Sequence, residues 1–129
     1  MKLSTIAISA VSGLTIALAA ASVQAKPPVQ AGAMGAQAFL MDANKMTLYT
    51  FDKDAKDVSN CYGDCAALWP PVLAESTAEL GAGYSLVTRK DGTRQVAYKG
   101  QPLYLWVKDS KPGDMTGDGV KGVWHTARP

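Results

Sequence analysis

Leu48-Tyr49-Thr50-Phe51-Asp52-Lys53-Asp54 and Leu103-Tyr104-Leu105-Trp106-Val107-Lys108-Asp109 are two versions of one seven-residue phrase. Leu, Tyr, Lys and Asp recur identically, Phe51 is matched by Trp106, and the offset is 55 residues throughout. The same offset carries Lys56 to Lys111 and Trp69 to Trp124 without a gap. Trp is scarce in the chain, so the last match weighs heavily. Self-similarity at one fixed offset is the mark of an internal duplication. On a strand, alternate residues share a face, which groups Tyr49 with Phe51 and Tyr104 with Trp106. Two aromatic ladders are therefore expected to face each other around a shared core, with Trp69 and Trp124 closing each unit. Each aromatic side chain removes about 150–250 Å² from water. Asp54 and Asp109 fall at the strand ends, where a carboxylate accepts backbone N–H groups and holds a loop.

Outward from the repeat, the pattern is mainly β. Ala38–Met41 and Met46–Phe51 flank the turn-rich tetrad Asp42-Ala43-Asn44-Lys45 and predict a hairpin. Residues 52–60 read as a loop, and Asp64–Trp69 as one helical turn stopped by Pro70 and Pro71. Residues 74–83 read as a short helix or loop. Tyr84–Thr88 and Arg94–Tyr98 flank Asp91-Gly92, a strong hairpin signal because Gly accepts positive φ. After a turn at Lys99–Pro102, Leu103–Val107 is apolar on both faces and reads as a central strand. A loop over 109–122 precedes a last strand at Val123–Thr126. The expectation is a small single domain of about six short antiparallel strands, built from two related repeats, with little helix.

The N-terminus has another character. Lys2 precedes an uncharged apolar stretch from Ile6 to Ala21, and Val23-Gln24-Ala25 supplies small residues at the −3 and −1 positions. Residues 1–25 read as a secretory signal peptide cleaved near Ala25, giving a periplasmic or secreted protein. Ser9, Ser12, Gly13 and Thr15 interrupt the stretch as a membrane anchor. Residues 26–36, rich in Pro, Gly and Ala, read as a flexible lead. The domain then spans 37–129, with repeats at about 37–83 and 84–129. The full chain carries net charge +2, and loss of Lys2 leaves +1. That balance offers no electrostatic footprint for nucleic acid. No second apolar run is long enough to span a membrane. A monomer is expected.

Cys61 and Cys65 are the only cysteines. In an oxidising compartment, an even count at close spacing favours a disulfide, a local staple across a short loop. A metal or redox pair is the alternative. Three intervening residues do not make the Cys-x-x-Cys motif, and a thiolate site wants further ligands, for which the one His, His125, is the candidate. The mature Met residues form no close cluster and read as core or linker filling. Asp114–Gly119 lacks the ligand pattern of a calcium loop. With one His and no Gly-x-Ser-x-Gly elbow, no catalytic residues are assigned and no cofactor is called for.

Tyr49-x-Phe51-x-x-Asp54 and Tyr104-x-Trp106-x-x-Asp109 both fit a Y-x-[FWY]-x-x-D motif. With Cys61-x-x-x-Cys65-Ala66-Ala67-Leu68-Trp69-Pro70-Pro71, Arg89-Lys90-Asp91-Gly92 and Gly122-Val123-Trp124-His125, the chain resembles the bacterial secreted-repeat family of predicted lipoproteins over residues 37–129. The resemblance implies a secreted envelope protein of unknown function and supplies no catalytic residues. Many of those relatives carry a lipid-bearing Cys, which this chain lacks, so a soluble periplasmic form is expected. The functional expectation is a non-enzymatic binding or interaction module with an unknown envelope protein or ligand as partner. The alternative is a copper-, zinc- or haem-associated accessory protein in envelope redox or stress response, resting on Cys61, Cys65 and His125.

Overall fold

The computed structural model describes residues 27–129; the expected signal peptide, residues 1–25, lies outside the described residues. The elements are β1 (Val29–Met34), β2 (Gln37–Asp42), β3 (Tyr49–Phe51), α1 (Asp64–Leu68), β4 (Tyr84–Thr88), β5 (Arg94–Tyr98), β6 (Gln101–Pro102), a 3₁₀ turn (Val120–Gly122) and β7 (Trp124–Thr126). They form three small antiparallel sheets, β1-β2, β3-β7 and β4-β5-β6. The mainly-β expectation holds, with α1 as the one short α-helix among the described residues.

Four expectations need correction. The first concerns residues 26–36, which contain β1 rather than a flexible lead. β1 pairs with β2 in register from Val29↔Asp42 to Met34↔Gln37. Its small residues allow close approach to the partner strand. A Cβ at Gly32 would lie 2.9 Å from Met41 Sδ. Seven strands are present among the described residues.

The second is the expected hairpin over 38–51, which is only half formed. Its turn is real: Asp42 Oδ1 accepts the N–H groups of Asn44 and Met46. One bridge, Met41↔Thr47, follows, and Leu48 N–H donates to Leu40 O at 3.0 Å. β3 then leaves to pair with β7. The third is Leu103–Val107, which is central but not a regular strand. Tyr104 bridges Tyr49 on one side and Pro71 on the other. Pro70, Pro71 and Pro102 have no N–H to extend a ladder. Finally, Trp69 and Trp124 do not close separate units; they stack on each other at the centre, with centroids 3.7 Å apart.

The duplication becomes an approximate two-fold arrangement, visible in reciprocal backbone bonds. Tyr49 N–H donates to Tyr104 O at 2.9 Å, and Tyr104 N–H to Tyr49 O at 3.0 Å. Val72 N–H donates to Leu103 O, and its equivalent, Ala127 N–H, donates to Leu48 O. Asp52 N–H reaches Val123 O, and Val107 N–H reaches Leu68 O. Each repeat therefore finishes the other's edges. The aliphatic core follows the same rule, with Leu40, Leu48 and Val72 buried beside Val96, Leu103 and Ala127. The helical turn that carries Cys65, α1, has its counterpart in the 3₁₀ turn.

Candidate binding groove

The aromatic core is a four-ring stack in the order Phe51, Trp124, Trp69, Trp106. Successive centroids lie 4.2, 3.7 and 3.9 Å apart, with planes within 26° of parallel. Phe51 on Trp124 is the two-fold counterpart of Trp106 on Trp69. Tyr49 meets Trp69 edge-on at 5.4 Å, and Tyr104 meets Trp124 edge-on at 5.2 Å. The two expected ladders thus interleave. Offset-stacked and T-shaped pairs each contribute about 0.5–1.5 kcal/mol beyond burial.

The motif Asp residues lock this arrangement crosswise. Tyr49 Oη donates to Asp109 Oδ2 at 2.6 Å, and Tyr104 Oη donates to Asp54 Oδ2 at 2.6 Å. The carboxylate of each repeat holds the tyrosine of the other. The remaining oxygens do what the sequence suggests and fix loops: Asp54 Oδ1 accepts Asn60 N–H, and Asp109 Oδ1 accepts both N–H and Oγ1 of Thr116. Burial first, and then the carboxylate beside each hydroxyl, push both phenols far above the ordinary tyrosine value. Burial also raises the Asp54 carboxyl, against the bonds from Tyr104 and Asn60 that lower it.

The repeats differ in what meets the second side of each phenol. Tyr49 Oη accepts Gly117 N–H at 3.3 Å. A Cβ at Gly117 would stand 2.9 Å from the Tyr49 and Trp69 rings, so the loop passes close only because that residue is glycine. Tyr104 Oη instead meets Ser59 Oγ at 2.6 Å. Because the single phenol proton goes to Asp54, Ser59 is the donor. Ser59 in turn accepts from Arg89 Nη1, which also donates to Gln95 Oε1, while Nη2 donates to Cys61 O. Arg89 is only 4% exposed, and its guanidinium lies 4.3 Å from the Tyr62 ring centroid. Arg89 stands in a charged hairpin segment, where sequence reasoning expects solvent. The signal available was Gln95, a polar residue inside an apolar strand. Arg89→Met should cost about 3 kcal/mol, because it strands buried acceptors that hold charge-assisted bonds. Arg89→Lys should restore only part of this, since an ammonium lacks the planar fork. Thermal midpoints check both, and a Met variant within about 1 kcal/mol of the parent would contradict the role.

Cys61 and Cys65 form the expected disulfide, with Cα atoms 5.2 Å apart, packed against the ring stack. The 55-residue offset maps them to Thr116 and Val120, where bonds to Asp109 take over the loop-fixing role. His125 is not brought to them. It alternates with Trp124 on β7, points to the other face, and its Nε2 meets Asp52 Oδ2 at 2.7 Å. The sulfurs are bonded to each other, and among the described residues no group of three His, Cys, Asp or Glu could hold a metal. Asp114, read as part of a solvated turn, fixes its own loop by accepting from Ser110 and Lys111.

A groove of about 300 Å³ opens over the stack, where the two repeats meet. All four stacked rings line it, with Cys65 and Leu68 of the helical segment and Val120 and Val123 from the equivalent turn. Lys53, Lys121 and Asp64 stand around it. Leu68 is 44% exposed, an apolar side chain left in water at the mouth. The motif residues Phe51 and Trp106 reach this groove; Tyr49, Tyr104, Asp54 and Asp109 build the frame around it. Its size is at the lower end of small-molecule sites.

A family model described as a secreted repeat of unknown function matches residues 38–73 and 85–128, together more than half of the chain. The two matched segments coincide with the two halves of the approximate two-fold. No curated protein and no solved structure matches the chain. Among the described residues, no helix is long and apolar enough to cross a membrane.

Proposed function

This chain belongs to the secreted-repeat family of unknown function, and from that premise we propose that it is a non-enzymatic binding module of the cell envelope. The groove over the ring stack is its binding site. The mature protein is released into the periplasm by cleavage near Ala25 and acts as a monomer. One observation carries the reading: all three tryptophans of the chain converge on a single groove at the repeat junction. Aromatic side chains with a few polar groups at the rim are the usual lining of a small-molecule site. The framework that holds them, crossed Tyr–Asp bonds and a disulfide, is rigid, which limits the ordering cost of binding.

The test is a fragment screen on the mature, oxidised protein, read by the three indole N–H resonances. Fragments should shift these signals together with the amides of Cys65 and Leu68, and Leu68→Arg should abolish the shifts without unfolding the domain. If no fragment class perturbs the groove, or Leu68→Arg leaves binding unchanged, the groove is not the site.

A further inference from the structure

We infer that the groove takes a small, flat aromatic acid, a one- or two-ring molecule bearing a carboxylate. The inference rests on the groove being the binding site and adds the chemistry of its occupant.

Size comes first. About 300 Å³ accommodates one or two fused rings, not a macrocycle or an extended oligomer. The form of the aromatic surface comes second. The faces of Trp69 and Trp124 are turned towards each other and towards Trp106 and Phe51, at separations of 3.7–4.2 Å. Sugars need an open ring face to lie on, and here the inner faces are taken. The two inner rings, Trp69 and Trp124, can offer the groove only their edges, the positive rim of the aromatic quadrupole; the outer faces belong to Phe51 and to Trp106, the latter with Lys108 Nζ 5.6 Å from its centroid. Ring edges attract either the negative face of another aromatic ring or an anionic oxygen.

The charge at the rim is the final element. Lys53 and Lys121 line the groove, and the one ion pair among the described residues, His125 with Asp52, involves neither. Asp64 is the single acid there, so the rim is net cationic. Ring edges and two ammonium groups complement an aromatic ring with a carboxylate. A neutral aromatic would leave the cations unused, and an aliphatic acid has no ring face to set against the ring edges.

Four probes test this on the oxidised mature protein, with binding read by tryptophan fluorescence and by the indole N–H resonances. They are 2-naphthoate, its neutral analogue 2-naphthamide, cyclohexanecarboxylate and cellobiose. We expect 2-naphthoate to bind about tenfold more tightly than either naphthamide or cyclohexanecarboxylate, and cellobiose not to bind. The double variant Lys53→Gln/Lys121→Gln should weaken naphthoate about tenfold, leave naphthamide unchanged, and keep the parental thermal midpoint. Equal binding of naphthoate and naphthamide, or an unchanged naphthoate affinity in the double variant, overturns the acid and leaves the groove reading standing. Equal binding of cyclohexanecarboxylate, or tighter binding of cellobiose, overturns the aromatic part. Silence from all four probes overturns the inference, while a hit from another class in the fragment screen would still support the groove.

Discussion

Replacing Trp69 by Ala lowers stability by about 4 kcal/mol, the middle of the range for truncating a buried aromatic to Ala. Trp69 is 3% exposed and has three ring partners: Trp124 on one side, Trp106 on the other and Tyr49 at its edge. Its loss removes two stacked pairs and one T-shaped pair, and opens a cavity at the contact between the repeats. Neighbours cannot close it easily, because Tyr49 is tied to Asp109 and Cys65 to Cys61. In a domain of this size about 4 kcal/mol corresponds to a fall of roughly 15–30 °C in the thermal midpoint. The two-fold makes a sharper demand. Trp124→Ala should cost nearly the same, since it also has two stacked partners and a tyrosine edge. Trp106→Ala should cost less, because that ring ends the stack. Denaturant midpoints of the three variants decide the matter. If Trp106→Ala proves the most damaging, the repeats are not joined through the stack as described.

Raising the pH above about 10 removes stability at about 2.7 kcal/mol per pH unit. Each of Tyr49 and Tyr104 has a folded-state pKa pushed far above its ordinary value of 10.0, by burial first and then by the carboxylate that accepts its hydroxyl proton. A raised folded-state value means that the folded chain holds protons the unfolded chain gives up. The contribution is therefore fully present below pH 10 and declines as the pH climbs towards the folded-state values. Each such group contributes about 1.36 kcal/mol per pH unit in that window, and two groups double it. Small domains carry about 5–15 kcal/mol in all, so two units already remove an amount equal to the lower end of that range. Urea midpoints at stepped pH, with reversal to pH 8 as a control on the disulfide, measure the slope. Tyr49→Phe or Tyr104→Phe should each halve it, while also lowering stability at pH 7 by leaving a carboxylate oxygen without its donor. A midpoint that stays flat between pH 9.5 and 11.5 would show that the phenols are not locked to Asp109 and Asp54.

Much of the chain was readable in advance where the signal was local. The hairpin at Asp91-Gly92 forms as expected, because the positive φ its turn needs falls on the glycine: Gly92 has φ 85°. The helical turn at Asp64–Leu68 ended before Pro70 for an equally local reason, and the disulfide joined the two available sulfurs. β1 was missed because its composition looks like a linker. Small residues have little to bury, yet on a strand they let Phe39 and Met41 come close. Arg89 was missed because its neighbours in sequence are turn residues, whereas its neighbours in space are Ser59, Gln95 and Cys61. The groove was not visible at all, since its lining comes from four separate segments.

What the amino-acid order determined by itself is that there are two copies of one unit, which residues are equivalent, and that aromatic rings dominate the core. It could not say how the copies meet. A tyrosine and an aspartate five residues later in the same motif look like partners within a strand and its loop. The folded chain pairs Tyr49 with Asp109 and Tyr104 with Asp54. Periodicity records which face a side chain occupies, but a contact between positions 50 or 60 residues apart depends on the relative placement of two surfaces. That placement comes from packing: the rings remove most apolar area when the two repeats interleave them. Interleaving them also creates the groove.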